Sequence, residues 1–199
     1  MRIRKVSHRK LPLTNRGQLG ILFLGTGSAF TKKNYQNNIL IVKGEDHVMI
    51  DCGTRAPEAL SRLGRSVGDV RNYYITHSHA DHVGGLEEVM LVNRYVTRTK
   101  PHIYIPEEYQ TILWERSLRG GSEENERHEG EGLGFEDFWV VHRPTERPDL
   151  PRRGTEVQIG GINLKTFRTR HFPEQARSWD DAFYSVGLII DDRVLFTGD

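Results

Sequence analysis

The sequence predicts an α/β fold, with two β-sheets and helices on the outside. Three observations carry this reading. Short runs rich in Ile, Val, Leu and Tyr recur along the chain, bounded by glycines and acidic turns. Between several of them lie segments with apolar residues at helical spacing. The 199 residues suffice for one domain with a buried core. Mixed strands and helices of this kind pack as layers.

Taken in order, residues 19–24 form an apolar run between Gly20 and Gly25 and are expected to be a buried strand. Residues 38–43 and 47–51 read as two strands joined by Gly44-Glu45-Asp46, a hairpin signal. Residues 57–63 place Ala59, Leu60 and Leu63 on one helical face, with Gly64 as the stop. Residues 70–76 are the next strand. Residues 85–97 read as a helix with Leu86, Val89, Met90 and Asn93 on one face, and residues 102–105 as a strand. A helix over 107–118 starts after Pro106. Residues 119–134 hold five glycines and five glutamates and almost nothing apolar, so a mobile insertion is expected. Residues 135–141 are read as a strand, and the Pro- and Arg-rich stretch 143–154 as irregular. Strand patterns return at 156–159, 162–169, 182–190 and 193–197, the last pair joined by an Asp191-Asp192 turn.

The chemistry concentrates in Thr76-His77-Ser78-His79-Ala80-Asp81-His82, which follows the apolar Tyr73-Tyr74-Ile75. Imidazole and carboxylate are the usual nitrogen and oxygen ligands of zinc, and an ordinary core does not gather four such groups on one tight loop. Alternation at a strand end can aim His77 and His79 at one metal. Asp81 and His82, where the chain turns into a helix, can aim at a second. Two metals roughly 3.5–4 Å apart clamp a displacement reaction.

This loop, His77-x-His79-x-Asp81-His82, resembles the metal-binding signature of the metallo-β-lactamase superfamily of hydrolases. Further stretches match in order: Phe23-Leu24-Gly25-Thr26-Gly27-Ser28-Ala29-Phe30, similar to the opening strand and glycine loop of the ribonuclease Z-like branch; Met49-Ile50-Asp51-Cys52-Gly53; His171 after a strand; and Leu195-Phe196-Thr197-Gly198-Asp199. The resemblance spans about residues 19–199 and implies an αββα sandwich. It implies that His77, His79 and His171 bind one metal, that Asp81 and His82 bind a second, and that Asp199 bridges both. Asp51 would orient a loop histidine or cap its strand, and Asp81 would act as general base. The implied cofactors are two divalent ions, zinc first, with manganese or iron also compatible with nitrogen and oxygen ligands. Bound metal brings the pKa of water from 15.7 to about 7, giving a hydroxide nucleophile.

The family pattern continues past Asp199 with a helix, strands and a last histidine. The expectation is therefore a chain lacking the final C-terminal elements, with an incomplete second site. A small cyclic or nucleotide-type phosphodiester is the expected substrate. Ribonuclease Z-like RNA processing comes second, because residues 54–57 depart from the Gly-Glu-Gly-Thr-Gln continuation of that enzyme and the insertion is acidic, which repels a phosphate backbone. A thioester or lactone hydrolase and a non-catalytic metal-binding domain are the other readings.

Bulk properties exclude other classes. Net charge is +1, too small to argue for nucleic acid or membrane. No stretch reaches the ~18 apolar residues of a membrane span. The basic start lacks a signal-peptide apolar core, and the single cysteine, Cys52, fits a reducing cytoplasm and is read as a buried filler. Residues 1–16 carry Arg2, Arg4, Lys5, Arg9, Lys10 and Arg16 with no acid, and are expected to be a solvated or loosely packed tail, or part of a first strand, rather than an arm that touches phosphates. Gly25-Thr26-Gly27-Ser28 is read as a tight turn rather than an anion cradle. His102 and His142 are read as structural or solvent-facing, and His8, His47 and His128 as having no role in the site.

Overall fold

The computed structural model describes residue 3 and residues 10–199. Two sheets form the sandwich. The first has six strands in the order β1-β2-β3-β4-β5-β8, the second five in the order β13-β12-β11-β10-β9.

Strands β1 (Gly20–Phe23), β2 (Ile39–Lys43) and β3 (Asp46–Ile50) form an antiparallel meander. Four consecutive buried aliphatics, Ile39 to Val42, mark β2 as covered on both faces. Helix α1 (Ala56–Arg62) follows, and Gly64 ends it with φ +69°. From β3 onward the pairing is parallel, through β4 (Asn72–Tyr74), β5 (His102–Tyr104) and β8 (Val140–His142). Parallel neighbours need crossovers. The one-turn α2 (Ala80–Val83) and α3 (Leu86–Leu91) supply the first, and α4 (Glu107–Leu113) begins the second. Both α3 and α4 run on as wider π-type turns, over Val92–Thr97 and Trp114–Leu118.

Residues 119–134, read as a mobile insertion, contain α5 (Arg119–Ser122) and a small ribbon of β6 (Arg127–His128) and β7 (Glu131–Gly132). Buried Leu133 donates its N–H to Glu123 O at 2.9 Å and anchors the base of this excursion.

The strand expected over 135–141 is corrected. Phe135–Phe138 is a helical turn, α6, and only Val140–His142 is strand. The reason lies in two local features. Asp137 accepts from the Gly134 N–H at 2.7 Å and caps the turn. Phe135, Phe138 and Trp139 then fall at i, i+3 and i+4 and all point into the core. Within the stretch expected to be irregular, Thr145–Arg147 is an edge strand, β9.

The second sheet continues with β10 (Gly154–Ile159), β11 (Ile162–Arg168), β12 (Val186–Ile190) and β13 (Val194–Phe196). The strictly alternating burial of β11 shows one face against the first sheet and one turned outward. β12 starts at Val186, later than expected, because residues before it form the loop that reaches the metal loop. Asp191 and Asp192 both take left-handed φ, 51° and 53°, in the β12–β13 turn. One hydrophobic cluster runs through both sheets, from Leu11 and Leu13 to Ile190. Leu11 and Leu13 are buried against the body, while Lys10, Pro12, Thr14 and Arg16 between and around them are exposed; residues 1, 2 and 4–9 of the expected tail, with His8, lie outside the described residues. Among the described residues no helix is long and apolar enough to cross a membrane.

At one end the sheets are pinned by Lys43 Nζ–Asp191 Oδ2 (2.6 Å) and by Gly161 N–H to Asp46 Oδ2 (2.7 Å). Near the other end Val186 N–H donates to Thr76 O at 3.2 Å. That second end carries the C-terminal ends of β3 and β4, where ligands of open α/β sheets bind.

Candidate metal centre

Two strand ends and one helical turn build the metal loop. β3 ends into Asp51, whose φ of 64° turns the chain sharply, and Gly53 follows. A Cβ on Gly53 would lie 1.8 Å from Asp81 O, so only glycine allows the two segments to approach. Asn38, fully inside, bridges them: its Oδ1 accepts from Gly53 N–H at 2.6 Å and its Nδ2 donates to Asp81 O at 3.0 Å. After β4 the chain runs extended through Thr76 to His79 and then makes the α2 turn, with His82 N–H donating to His79 O at 2.9 Å. That turn swings His82 beneath His77, ring centroids 3.9 Å apart.

The structure brings all six expected metal residues together. His77 Nε2 and His171 Nε2 each stand 3.1 Å from His79 Nδ1, although His171 is 92 residues further along. His82 Nε2 lies 3.2 Å from Asp81 Oδ2 and 3.3 Å from Asp199 Oδ2. Asp199 Oδ2 is also 3.8 Å from His171 Nε2, so this carboxylate stands between the two groups. The ligating atoms of His77, His79 and His171 all lie within 4.8 Å of one another, and so do those of His77, His82 and Asp199.

Asp51 organises this set. Its Oδ1 accepts from Thr76 N–H at 2.7 Å; its Oδ2 accepts from Thr76 Oγ1–H at 2.8 Å and from His82 Nδ1–H at 2.7 Å. The Thr76 hydroxyl uses its one hydrogen to donate to Asp51, so at 3.0 Å from His77 Nδ1 it accepts from that ring nitrogen. Both histidines are thereby held with Nδ1 as donor and Nε2 turned into the cluster.

The electrostatics differ between the two halves. Burial, reinforced by the neighbouring His82, pushes His77 down to about 3, so its ring is neutral. Burial also lowers His171, against the pull of Asp199. Burial opposes charge on His82 too, but Asp51, Asp199 and Asp81 outweigh it and raise this imidazole far above the ordinary histidine range. The hydrogen bond from His82 lowers Asp199 to about 2, and the same partner lowers Asp81 against the effect of burial. Three carboxylates around one buried imidazole call for a cation.

The residues present fit divalent metal. Two nitrogens bound at about 2.0–2.1 Å to one tetrahedral zinc stand roughly 3.3–3.4 Å apart, close to the two 3.1 Å nitrogen separations seen here.

His102, His142, His47 and Cys52 contribute no ligand atom to these groups. His102 Nδ1 and His142 Nε2 pair with each other at 2.7 Å, and His142 stacks on Tyr104. His47 Nε2 accepts from Arg71 N–H. Cys52 is fully buried, and burial raises its thiol well above the usual range. Gly27 N–H is taken by Tyr35 O at 2.9 Å, and a Cβ on Gly25 would lie 2.1 Å from that same oxygen, which fits the tight-turn reading.

Sequence reading missed three supporting groups. The Asn38 clamp was visible only as a polar residue opening an apolar strand. Tyr109, on α4, holds Ser78 of the metal loop through a 3.0 Å hydroxyl pair. Phe183 stacks on His79, centroids 5.2 Å apart and planes 17° apart. The last two had no local signal, since each acts across the fold.

Comparison with known proteins agrees with this geometry. Solved structures similar to this one include the metallo-β-lactamase fold protein YhfI from Bacillus subtilis (15% identity, 90% of this chain and 61% of that one, TM-score 0.57). The short form of human tRNase Z is another (21% identity, 90% and 68%, TM-score 0.58). These likenesses show the metallo-β-lactamase fold. In sequence the chain is 33% identical over 184 residues to the Anti-Pycsar protein Apyc1 of Paenibacillus sp. (strain J14), covering 91% of this chain and 66% of the relative. It is 43% identical over 182 residues to that of Paenibacillus xerothermodurans, with the same coverages. The protein of the same name from Bacillus phage BSP38 is 33% identical over 183 residues, covering 88% and 71%. The chain thus spans about two thirds of the length of these curated relatives. The family model described as Anti-Pycsar protein Apyc1 matches residues 19–199, and the chain belongs to that family.

Proposed function

We propose that this protein is a metal-dependent phosphodiesterase acting on a small cyclic or nucleotide-type phosphodiester. The observation that carries the reading is the convergence of His77, His79 and His171 beside His82, Asp81 and Asp199, with Asp199 between the groups. His77, His79 and His171 would hold one divalent ion, Asp81 and His82 a second, with Asp199 shared. Such a pair of ions acidifies water and draws charge from a phosphoryl oxygen.

The chain's own residues do the rest. Asp51 fixes His77 and His82 with their Nε2 lone pairs facing inward, which sets tautomer and basicity. Asp81, held ionised by His82, accepts the proton of the attacking water. Hydrolysis then forms one phosphorus–oxygen bond from water and breaks one ester bond, whose oxygen takes up a proton. No Ser or Cys nucleophile is required, and Cys52 is buried with a raised pKa, unsuited to that role.

A small substrate is favoured over RNA by the acidic character of the excursion after α4, where Glu124, Glu129 and Glu131 are exposed. The test is hydrolysis of bis(p-nitrophenyl) phosphate and nucleoside 3′,5′-cyclic monophosphates against thioester, lactone and RNA panels, with metal content measured on the same preparation. The expected result is metal-dependent turnover of the phosphodiesters. Turnover confined to thioesters or lactones, or none with both metals bound, would overturn the reading.

A further inference from the structure

We propose that Tyr109 is a positioning residue for the first metal group. It belongs to a buried column of Arg168, Tyr184 and Tyr109 that ends on Ser78 and holds together the two loops carrying His77, His79 and His171. This rests on the metal-dependent reading above and identifies what keeps those three imidazoles in register.

Ser78 lies between His77 and His79 on the metal loop. Its Oγ stands 3.0 Å from the Tyr109 hydroxyl, which has no other hydrogen-bond partner among the described residues. The Tyr109 ring, on α4, lies parallel to that of Tyr184, with centroids 4.4 Å apart and planes 5° apart. The Arg168 guanidinium stands over the Tyr184 ring, 4.5 Å from its centroid. All three side chains are buried.

The column reaches both ends of the loop that delivers His171. Arg168 is the last residue of β11, and Tyr184 stands just before β12 begins at Val186. Between them the chain runs out to His171 and back. The base of this loop is closed by Thr169 N–H to Ser185 O at 2.9 Å and by a 2.6 Å pair of the two hydroxyls. Tyr109 and Ser78 belong to the crossovers of the first sheet. The stack is therefore a contact between the His171 loop and the loop of His77 and His79, made beside the metal group and not through it.

Core packing alone accounts for neither end of the column. Arg168 shares the inward face of β11 with Ile162, Leu164 and Thr166, and an aliphatic residue there would avoid the cost of burying a charge. Its carboxylate partner is Glu108, 3.6 Å away on an exposed side chain, and its Nε has no hydrogen-bond partner among the described residues. What compensates the charge is the Tyr184 ring, since a cation is attracted to an aromatic face most strongly when desolvated. At the other end a phenylalanine would fill the volume of Tyr109, but only the hydroxyl reaches Ser78. Asp51 already holds Thr76, on one side of His77. The hydroxyl pair holds Ser78 on the other side, so the backbone at His77 is fixed from both directions.

The experiment titrates cobalt(II) onto the full chain in wild type, Tyr109→Phe, Ser78→Ala, the double variant, Arg168→Met and Arg168→Lys. The visible absorption bands of the bound ion report its coordination geometry, and thermal unfolding of each metal-free chain is measured beside them. Tyr109→Phe is expected to weaken the tighter equivalent about tenfold, as loss of a group that orients metal ligands does, and to alter its bands. Ser78→Ala should do the same, and the double variant should be no worse than either. Arg168→Met should weaken the same equivalent, and Arg168→Lys, which keeps a cation over Tyr184, should restore most of it. Wild-type affinity and bands in Tyr109→Phe, or losses that add in the double variant, would show that the column only packs the core. Should Tyr109→Phe not fold, Ser78→Ala decides by the same two readouts: a comparable loss supports the inference and unchanged binding overturns it. A wild type that binds cobalt but hydrolyses no phosphodiester fails the proposed reaction alone, and the variants still decide the column.

Discussion

His82 Nδ1 donates to Asp51 Oδ2 at 2.7 Å across 31 residues of chain, and both side chains are buried. The same carboxylate also receives two hydrogen bonds from Thr76. One aspartate at the end of β3 therefore sets the orientation of His77, which follows β4, and of His82 on α2.

Asp51→Asn tests this. The amide puts a donor where the carboxylate had only acceptors, so either Thr76 or His82 faces a donor. Leaving a buried donor unpaired costs about 1–3 kcal/mol, and metal affinity at His82 is expected to fall about 10–100-fold. Thermal unfolding and metal analysis of the variant read the two effects separately. An unchanged metal affinity would reduce Asp51 to a strand-end cap.

The two metal sites are expected to differ in affinity. On the proposed assignment His77, His79, His171 and Asp199 would offer four ligands to the first. Asp81, His82 and a share of Asp199 would serve the second, and here a metal must also displace the proton that the surrounding carboxylates favour on His82. Stepwise zinc titration of this 199-residue chain, followed by elemental analysis, should give one tight and one weaker equivalent. His171→Ala should lower the tight one selectively. Two equally tight equivalents would contradict the assignment.

Asn38→Ala is expected to destabilise the fold by about 2 kcal/mol or more, since it leaves Gly53 N–H and Asp81 O without their buried partner. It should also lower activity, because Asp81 is displaced from His82. Denaturant unfolding and a parallel assay check both; a variant of full stability would show that water replaces the amide.

Residues 119–134 are expected to exchange amide protons rapidly at the β6–β7 ribbon, where Arg127, His128 and Glu131 are exposed. Leu133, buried and hydrogen-bonded to Glu123 O, should be slower. Uniform strong protection from 119 to 134 would count against a mobile excursion.

Most strands in their order along the chain, the positions of most helices and the histidine-rich loop were legible in the sequence. Period-2 and period-3.6 patterns are local, and His77-x-His79-x-Asp81-His82 lies within one strand end and one helical turn. Residues 135–138 misled because an apolar, aromatic run suits either a strand or a helical turn; the Gly134–Asp137 cap decided for the turn. The segment 119–134 has a composition that does not encode its ribbon, which takes its anchor from Leu133.

The sequence by itself named the candidate metal-binding side chains, because ligand type and spacing are written in adjacent residues and the resemblance orders the distant ones. Only the tertiary structure decided how those groups act together. The 3.1 Å approach of His171 to His79, the position of Asp199 between two groups and the charge state around His82 depend on distances between strands of different sheets. Such distances arise from packing, where Gly53 lets Asp81 approach and Asn38 locks the contact.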